Sequence, residues 1–336
     1  TAGKILARQQ EATRQHGPQD GISQLAQLFE RVLRQADVDK GAVLGVGIGI
    51  PAVLERETDR VIWAPNLNGW RDVALKPALE SLLKLPVYLE YDGHAAVLGE
   101  WWQGAARGFH SIVEIIIGTG IGGGMILEDR VVRGMNRLAG AAGWFALTTQ
   151  PHAADSDDPS RSLGHWESLA AGPGIVRRMQ AQLKLHPDSA LADRAQTLTA
   201  KDVFDADDAG DPLARQIIDD SADVIGLGIA NIVSLINPEI VVLGGSIGAQ
   251  RGKRLIPRAS AVVHSWAQPI SSQSVTIVPS SLGADGGLWG AAYAVLQRRD
   301  ASAPTRQAIL SPTSLTSTNS TAMFAASEER READAH

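Results

Sequence analysis

The sequence contains no cysteine among its 336 residues. Disulfide bonds, thiol catalysis and thiolate metal ligands are therefore excluded. It also contains no uninterrupted apolar run near the roughly 20 residues of a membrane span, and its first residues have no apolar signal-peptide core. An excess of positive charge is missing too, because 31 basic residues stand against 37 acidic ones. We therefore expect a cytoplasmic protein whose charge gives no reason to propose DNA or an anionic membrane as a partner.

The composition is that of a globular protein, with 44% hydrophobic and 20% charged residues. A length of 336 residues exceeds what one compact core usually holds, so two domains are expected. Apolar runs of strand length alternate with segments of helical periodicity, which indicates an α/β architecture. The predicted strands include 42–51, 86–92, 111–118 and 239–248, and the predicted helices include 21–38, 72–85, 93–106, 165–183, 210–236 and 286–299. Residues 300–336, rich in Ser, Thr, Ala and Pro and then charged, are expected to form a disordered tail.

One stretch, IIIGTGIGGGMIL at 115–127, holds five glycines within seven residues. Three of them fit the dinucleotide-binding pattern G-x-G-x-x-G. That pattern requires a helix after the glycines, whereas residues 124–134 have the alternation of a strand. The sequence therefore predicts a strand–turn–strand hairpin and excludes a Rossmann turn. The backbone N–H groups of such a turn and the Thr119 hydroxyl suit a phosphate, and the alternative is a hairpin whose glycines only relieve strain.

Five motifs occur in order along the chain. They are APNLNGW at 64–70, YDGHAAVLGE at 91–100, IGTGIGGG at 117–124, ESLAAGP at 167–173 and GIANIVSLINPEIVVLGGSIG at 228–248. With these motifs the chain resembles the ROK family of bacterial sugar kinases and sugar-responsive repressors over residues 1–298. The resemblance implies an actin/hexokinase-like (ribonuclease H-like) α/β fold, with two domains around a cleft that binds ATP and a sugar.

The resemblance also implies domain boundaries. Residues 1–106 would form an N-terminal α/β domain that helix 286–299 rejoins, and residues 107–285 would form a C-terminal α/β domain. The chain begins at Thr1 with what looks like the end of a hairpin, so we expect a first strand upstream. Family kinases begin with an Asp-x-Gly-Gly-Thr strand, and family repressors carry an N-terminal DNA-binding domain. A nucleic-acid partner is expected only through such an upstream domain.

Asp92 lies where the predicted strand 86–92 meets the next helix, a position that opens into a cleft in α/β folds. Phosphoryl transfer needs a carboxylate that orients and deprotonates the attacking hydroxyl. The resemblance implies that Asp92 is this catalytic base and acts on a sugar hydroxyl, most often the 6-OH. The alternative is that Asp92 only caps the helix.

The resemblance further implies a group of sugar-binding residues. Glu167 matches a family glutamate that binds sugar hydroxyls, and Asn66 lies in a loop that borders the sugar pocket. Tyr91 and Trp144 stand where the family has an asparagine and a histidine. Apart from the resemblance, Trp144 and Trp166 lie near Glu167 in sequence and are candidates to offer an aromatic face to a sugar ring in place of the lost polar contacts. The alternatives are a solvated carboxylate at a helix start, a turn asparagine and ordinary half-buried tryptophans.

For the nucleotide, the resemblance implies that the glycine hairpin binds the ATP phosphates and that a second glycine turn approaches the adenosine. The implied phosphate-binding residues are Gly118, Thr119, Gly120 and Gly122, and the implied adenosine-binding residues are Gly244 and Gly245. The alternative for the second turn is a plain connection from strand to loop. Mg²⁺ is the implied cofactor beside ATP.

The sequence departs from the family in the sugar half of the site. The family segment Gly-Glu-x-Gly-His reads Gly-Ala-Ala-Gly-Trp at 140–144, so that Ala141 replaces a sugar-binding glutamate. The family's zinc motif, C-x-C-G-x-x-G-C, falls on residues 158–165, where no cysteine remains. Asp158 and His165 lack suitable further ligands there, so we expect neither a structural zinc nor a protein-built metal site.

Two functions stay open from the sequence. The intact glycine hairpin and Asp92 favour an ATP- and Mg²⁺-dependent kinase for a hexose or an N-acetylhexosamine. Tyr91, Ala141 and the missing upstream motif instead favour a non-catalytic sugar-sensing regulator or a pseudokinase. The expected partners are a sugar, ATP and, as the family expectation, a second copy of the chain in a homodimer.

Overall fold

The computed structural model describes residues 3–64, 66–149 and 163–302. Most of the segment that aligns with the zinc motif lies outside the described residues. The predicted disordered tail also lies outside them, except that the last helix reaches Ser302. None of the helices in these ranges combines the length and apolar character that a membrane crossing requires.

The N-terminal part builds its core between two helices and two small sheets. The helices are α1 (Pro18–Ala36) and α2 (Leu75–Leu83). One sheet is the parallel pair of β1 (Val46–Ile50) and β5 (Val87–Tyr91). The other is antiparallel and consists of β2 (Val53–Leu54), β3 (Val61–Trp63) and β4 (Arg71–Val73). Leu75, Leu79 and Leu83 recur every four residues and therefore share one buried face of α2. Val87 and Leu89 alternate along β5 and point into the same core.

A five-stranded sheet in the order β10-β9-β6-β7-β8 forms the centre of the C-terminal part. Its strands are β6 (Ile112–Ile117), β7 (Ile121–Leu127), β8 (Arg130–Val131), β9 (Ile240–Gly244) and β10 (Thr276–Pro279). Strands β6, β9 and β10 run parallel, whereas β7 and β8 continue antiparallel from β6. Strand β9 is buried along its whole length because successive residues face two different helical layers.

The helices of this part are α4 (His165–Ala170), α5 (Gly172–Leu183), α6 (Ala200–Asp208), α7 (Pro212–Ile236), α8 (Gly245–Trp266) and α9 (Pro269–Ser274). No helix or strand is predicted for residues 249–273, whereas the structure has most of α8 and all but the last residue of α9 there. Gly248, Gly252 and Pro257 are poor helix formers, so local helix propensity does not predict α8. Close packing of α8 against α7, where Gly226 lies on the backbone of α8, overrides that propensity.

Helices α3 (Asp92–Gln103) and α10 (Gly286–Ser302) pack closely on each other. Gly290 allows this approach, because a side chain there would overlap the carbonyl group of Ala95. Helix α3 also contacts β1, β5, β6 and β7, and α10 contacts β1 and β5. The two helices therefore connect the parallel β1–β5 pair of the N-terminal part with the five-stranded sheet of the C-terminal part. The domain boundaries themselves stay a prediction.

Three predicted elements differ from those observed. The helix predicted at 72–85 begins only at Leu75, because residues Arg71–Val73 pair with β3 as strand β4. The helix predicted at 165–183 is interrupted at Ala171, which is extended and precedes the Gly172-Pro173 start of α5. The described residues from 3 to 16 contain no strand, although their sequence suggests the end of a hairpin.

Candidate active site

The glycine stretch forms the β6–β7 hairpin. Ile117 pairs with Ile121 as the last register position, and the Gly118 N–H donates to the Gly120 carbonyl oxygen at 2.9 Å across the turn. A strand follows the glycines, so the predicted hairpin is confirmed and the Rossmann turn is excluded. Gly124 lies against the backbone of Gly93, so that β7 packs directly on the first turn of α3.

Asp92 begins α3 at the end of β5. Its Oδ1 accepts a hydrogen bond from the Gly93 N–H at 2.8 Å, and burial raises the pKa of the Asp92 carboxyl above its usual range. The raised pKa makes the carboxylate a better proton acceptor than an exposed aspartate. Asp92 is itself the first residue of α3 and contacts only the next N–H, so this hydrogen bond is not the cap that the capping alternative requires.

Tyr91 directly precedes Asp92, and its hydroxyl is near enough to both Asp92 and Glu167 for their charges to act on it. Burial, and then the charges of Asp92 and Glu167, raise the pKa of Tyr91 to about 12, so its hydroxyl stays protonated and can donate a hydrogen bond. A Cβ built on Gly122 would lie 3.6 Å from the Tyr91 hydroxyl oxygen. We call Tyr91, Asp92 and Glu167 the Asp92 cluster.

Glu167 connects this cluster to the hairpin. Its Oε2 accepts a hydrogen bond from the Ile121 N–H at 2.7 Å, and burial raises the pKa of the Glu167 carboxyl. A Cβ built on Gly120 would lie only 2.6 Å from that same oxygen. The carboxylate therefore fixes the second half of the turn, and its other oxygen is left for a substrate.

The remaining residues predicted to bind the sugar differ in their exposure and in their position relative to the Asp92 cluster. Trp144 ends a short turn beside Gly143, which lies against Glu167, and 61% of its surface is exposed. The suggestion that Trp166 offers a ring face to a sugar is wrong, because Trp166 is fully buried and stacks on Phe145 at 5.8 Å between ring centroids. Asn66 is exposed in the β3–β4 loop, and in the described residues no hydrogen bond joins it to the Asp92 cluster.

A cavity of about 620 Å³, here called the nucleotide cavity, lies on the other side of the hairpin turn. Four segments line it, namely Gly118–Thr119, Gly172–Arg177, Leu198–Phe204 and Ser246–Arg251. Three of these segments lie at the starts of α5, α6 and α8, where the helix dipole favours an anion, although Thr199 and Asp202 already cap the start of α6. The Gly172 N–H donates to the Gly118 carbonyl oxygen at 2.8 Å, which attaches the start of α5 to the turn.

The walls of the nucleotide cavity combine charge with apolar surface. Arg177, Lys201 and Arg251 supply positive charge, and Ile247 and Phe204 supply apolar surface. The Arg251 guanidinium lies over the Phe204 ring at 5.2 Å from its centroid. This mixture suits a nucleotide, which is a polyanion attached to a flat base. Sequence reasoning missed these side chains, because they come together only through the packing of separate helices.

Gly244 and Gly245 are not among the residues that line the cavity. Gly244 is buried against the Glu114 side chain, and Gly245 has a φ of 76°, which suits glycine, beside the Ile117 carbonyl group. The next residues, Ser246 and Ile247, face the cavity instead. The two glycines thus position the first turn of α8, and an adenosine contact by them stays a prediction.

Among the described residues, no group of three or more His, Asp or Glu side chains is arranged to hold a metal ion. His165, one candidate zinc ligand, uses Nδ1 to accept a hydrogen bond from the Leu147 N–H at 3.2 Å. Asp158, the other, lies outside the described residues. A magnesium ion that travels with ATP is held mainly by phosphate oxygens and waters with one or two carboxylates, so it does not need a preformed cluster of three protein ligands.

The family model described as ROK family matches residues 1–298. The chain belongs to the ROK family. It is 32% identical over 307 residues to a glucokinase of Halalkalibacterium halodurans, covering 89% of this chain and 91% of the relative. It is also 28% identical over 222 residues to a xylose repressor of Caldicellulosiruptor bescii, covering 66% of this chain and 54% of that protein.

The structure is similar to a ROK family glucokinase from Streptomyces griseus solved in complex with glucose and AMPPNP. The TM-score is 0.74 at 26% identity, and the match covers 88% of this chain and 93% of that one. The predicted actin/hexokinase-like fold, with two domains and a cleft, is thereby confirmed. The family contains both kinases and repressors, so catalysis has to be argued from the site.

Proposed function

We propose that the protein is an ATP-dependent sugar kinase that transfers the γ-phosphate of ATP to a sugar hydroxyl. One observation carries the proposal: the glycine turn lies between the nucleotide cavity and the partly buried carboxylates of the Asp92 cluster. Gly118 and Thr119 line the nucleotide cavity, whereas Gly120 and Gly122 lie against the Asp92 cluster. A donor phosphate on one side and an acceptor hydroxyl on the other would meet across this turn.

The nucleotide side supports ATP as the donor. Gly118, Thr119 and the start of α5 line the cavity together, and the Thr119 hydroxyl and turn N–H groups would bind phosphate oxygens there. The Arg251 side chain and the Phe204 ring line the same cavity, and a base would pack against them. The structural relative that contains AMPPNP supports the same assignment.

On the acceptor side, Asp92 takes the proton from the sugar hydroxyl as the hydroxyl oxygen bonds to the γ-phosphorus. The bond between that phosphorus and the β–γ bridging oxygen breaks, and ADP leaves with the bonding electrons. Mg²⁺, when bound with ATP, supplies positive charge to the phosphate oxygens. Burial of Asp92 raises its pKa and so strengthens it as a proton acceptor.

The sugar would lie between the Asp92 cluster and Trp144. The protonated Tyr91 hydroxyl donates a hydrogen bond, the free oxygen of Glu167 accepts one, and Trp144 offers an exposed ring. Asn66 would border this pocket from the β3–β4 loop. The acceptor is a hexose or an N-acetylhexosamine, most often at its 6-OH, and relatives named glucokinase make glucose the first sugar to test.

The second candidate is a sugar-sensing protein without catalysis. It is favoured by Tyr91, Ala141 and Trp144, which replace polar sugar contacts, and by similarity to xylose repressors. A sensor needs the sugar site but has no use for a phosphate turn. The hairpin and the nucleotide cavity therefore make the kinase the better supported function.

The test is ATP turnover with Mg²⁺ across a panel of hexoses, N-acetylhexosamines and xylose, with the product identified by phosphorus NMR. Calorimetry measures binding of each sugar and of AMPPNP in parallel. A kinase gives sugar-dependent ADP and a sugar phosphate. Sugar binding without turnover for every member of the panel would overturn the proposal in favour of the sensor.

A further inference from the structure

A second cavity, of about 650 Å³, lies where the β2–β3 turn, the segment after β8 and the end of α10 meet. Four arginines stand in its wall, with two carboxylates beside them: Arg56, Arg133, Arg137 and Arg298, with Glu57 and Asp59. We call it the arginine cavity. It shares no lining residue with the nucleotide cavity.

Part of this charge is already paired within the protein. Asp59 accepts hydrogen bonds from Arg137 and, at 3.0 Å, from Lys76. Glu90, only 1% exposed, accepts two from Arg133 at 3.2 and 2.7 Å. These pairs hold Arg133 and Arg137 in place against the cavity, which lowers the cost of ordering them around a ligand.

The pairing is incomplete in three respects. The Nε of Arg137, a residue only 4% exposed, is buried and has no hydrogen-bond partner among the described residues. Arg298 approaches Asp59 and Glu90 only at 3.8 and 3.9 Å, beyond hydrogen-bond distance. Within the described part of the chain, Arg56 makes no ion pair at all.

The cavity therefore carries an excess of positive charge. Five cations (Arg56, Lys76, Arg133, Arg137, Arg298) surround three carboxylates (Glu57, Asp59, Glu90). The surplus lies on Arg56, which is exposed, and on Arg298, whose side chain is 34% exposed, so both guanidinium groups are accessible to a ligand that enters the cavity. This network leaves two positive charges and a volume large enough for a small organic anion.

We propose that the arginine cavity binds a phosphate dianion, either free or as the monoester of a small molecule. Guanidinium groups are planar forks that match phosphate oxygens two at a time, and a dianion matches the surplus of two charges. Arg56, without an ion pair among the described residues, and Arg298, whose ion pairs with Asp59 and Glu90 are longer than hydrogen bonds, supply the main new contacts. The site lies next to Glu90, whose partner His94 packs edge-on against Tyr91 at 5.2 Å between ring centroids.

The test is calorimetric titration of the full chain with inorganic phosphate and, separately, with glucose 6-phosphate at constant ionic strength. AMPPNP is present throughout so that the nucleotide cavity is occupied. The variants are Arg56→Gln and Arg298→Gln, and the matched control is Arg107→Gln, an exposed arginine without an ion pair among the described residues. Thermal melting checks that each variant keeps the wild-type fold.

Each cavity variant should weaken phosphate binding about tenfold, the loss expected for one hydrogen bond to a charged group, while Arg107→Gln should bind like wild type. Tighter binding of glucose 6-phosphate than of phosphate identifies a monoester ligand, and equal binding identifies free phosphate; both support the site. No phosphate binding beside AMPPNP, or equal affinity in wild type and both cavity variants, overturns the proposal.

Discussion

The Glu167 carboxylate accepts a hydrogen bond from the Ile121 N–H at 2.7 Å. Ile121 is the first residue of β7, so a side chain from α4 holds the returning strand of the phosphate turn. The same carboxylate leaves no room for a side chain at Gly120. The shape of the turn on the nucleotide side thus depends on a residue proposed to bind the sugar.

Gly120→Ala should therefore impair the proposed kinase. The new Cβ would lie 2.6 Å from Glu167 Oε2, so either the carboxylate or the turn must move. A displacement of this size near the reacting groups is expected to lower kcat/KM on the order of 10²-fold. Steady-state kinetics measure it, with Gly287→Ala as the control because nothing lies within 4 Å of its added Cβ. Equal losses in both variants would show that the effect is not specific to the turn.

Substitutions of Glu167 separate its two roles. Glu167→Gln keeps an oxygen that accepts from the Ile121 N–H, whereas Glu167→Ala removes it. We expect calorimetry to show weaker sugar binding in both variants, by about tenfold for the lost charge-assisted hydrogen bond. Binding of AMPPNP should fall only in Glu167→Ala. Wild-type sugar affinity in Glu167→Ala would remove this residue from the sugar pocket.

The activity should depend on pH through Asp92. The base must be ionised, and burial raises the pKa of Asp92 above its ordinary value of 3.8, so kcat/KM should fall as pH falls through that raised pKa. The measurement is the pH profile of kcat/KM. Because burial also raises the pKa of Glu167, the profile of Glu167→Gln provides the control and should keep the same acid limb. An acid limb that disappears in Glu167→Gln would transfer the role to that residue.

Glu90 should contribute to stability in a pH-dependent manner. Burial raises its pKa, but hydrogen bonds from His94 and Arg133 outweigh burial and lower the pKa from 4.5 to about 2. Its contribution is therefore fully present above pH 4.5 and is lost as pH falls toward about 2. Glu90→Gln should lower the free energy of unfolding at neutral pH by up to roughly 3 kcal/mol, because the amide no longer offsets the charges of Arg133 and the buried Arg137, while solvent partly screens Arg133.

Urea denaturation of Glu90→Gln between neutral and acidic pH measures this contribution. The difference from wild type should shrink as the pH is lowered below 4.5. Glu128→Gln, at an exposed turn position, serves as the control and should match wild type throughout. A difference that stays constant with pH would mean that the loss comes from packing and not from charge.

Local sequence signals predicted the parts of the site that lie within one element or one turn. The strand pattern after Gly124 identified the hairpin, and the strand–helix junction at Asp92 identified the candidate base. The nucleotide cavity was not predictable in this way, since Thr119, Lys201 and Arg251 meet only through the packing of separate helices. Helix α8 was missed because its glycines and Pro257 suppress helix propensity that tertiary contacts then override.

The ion pairs around Glu90 were also not predictable from local sequence signals. Arg137 contacts Asp59 across 78 positions of sequence, and no spacing rule relates the two. Trp166 illustrates the opposite error, because its position next to Glu167 suggested a sugar contact. Successive residues of an α-helix point about 100° apart, so Trp166 faces the core although its neighbour Glu167 faces the hairpin.

The most direct test of the proposed kinase is single-turnover phosphoryl transfer in Asp92→Asn. The asparagine oxygen can still accept the Gly93 N–H, so the start of α3 and the binding of sugar and AMPPNP should stay as in wild type. Because the amide cannot take the proton of the sugar hydroxyl, the rate should fall at least about 10²-fold. A rate equal to that of wild type, with unchanged binding, would contradict the role of Asp92 and the mechanism built on it.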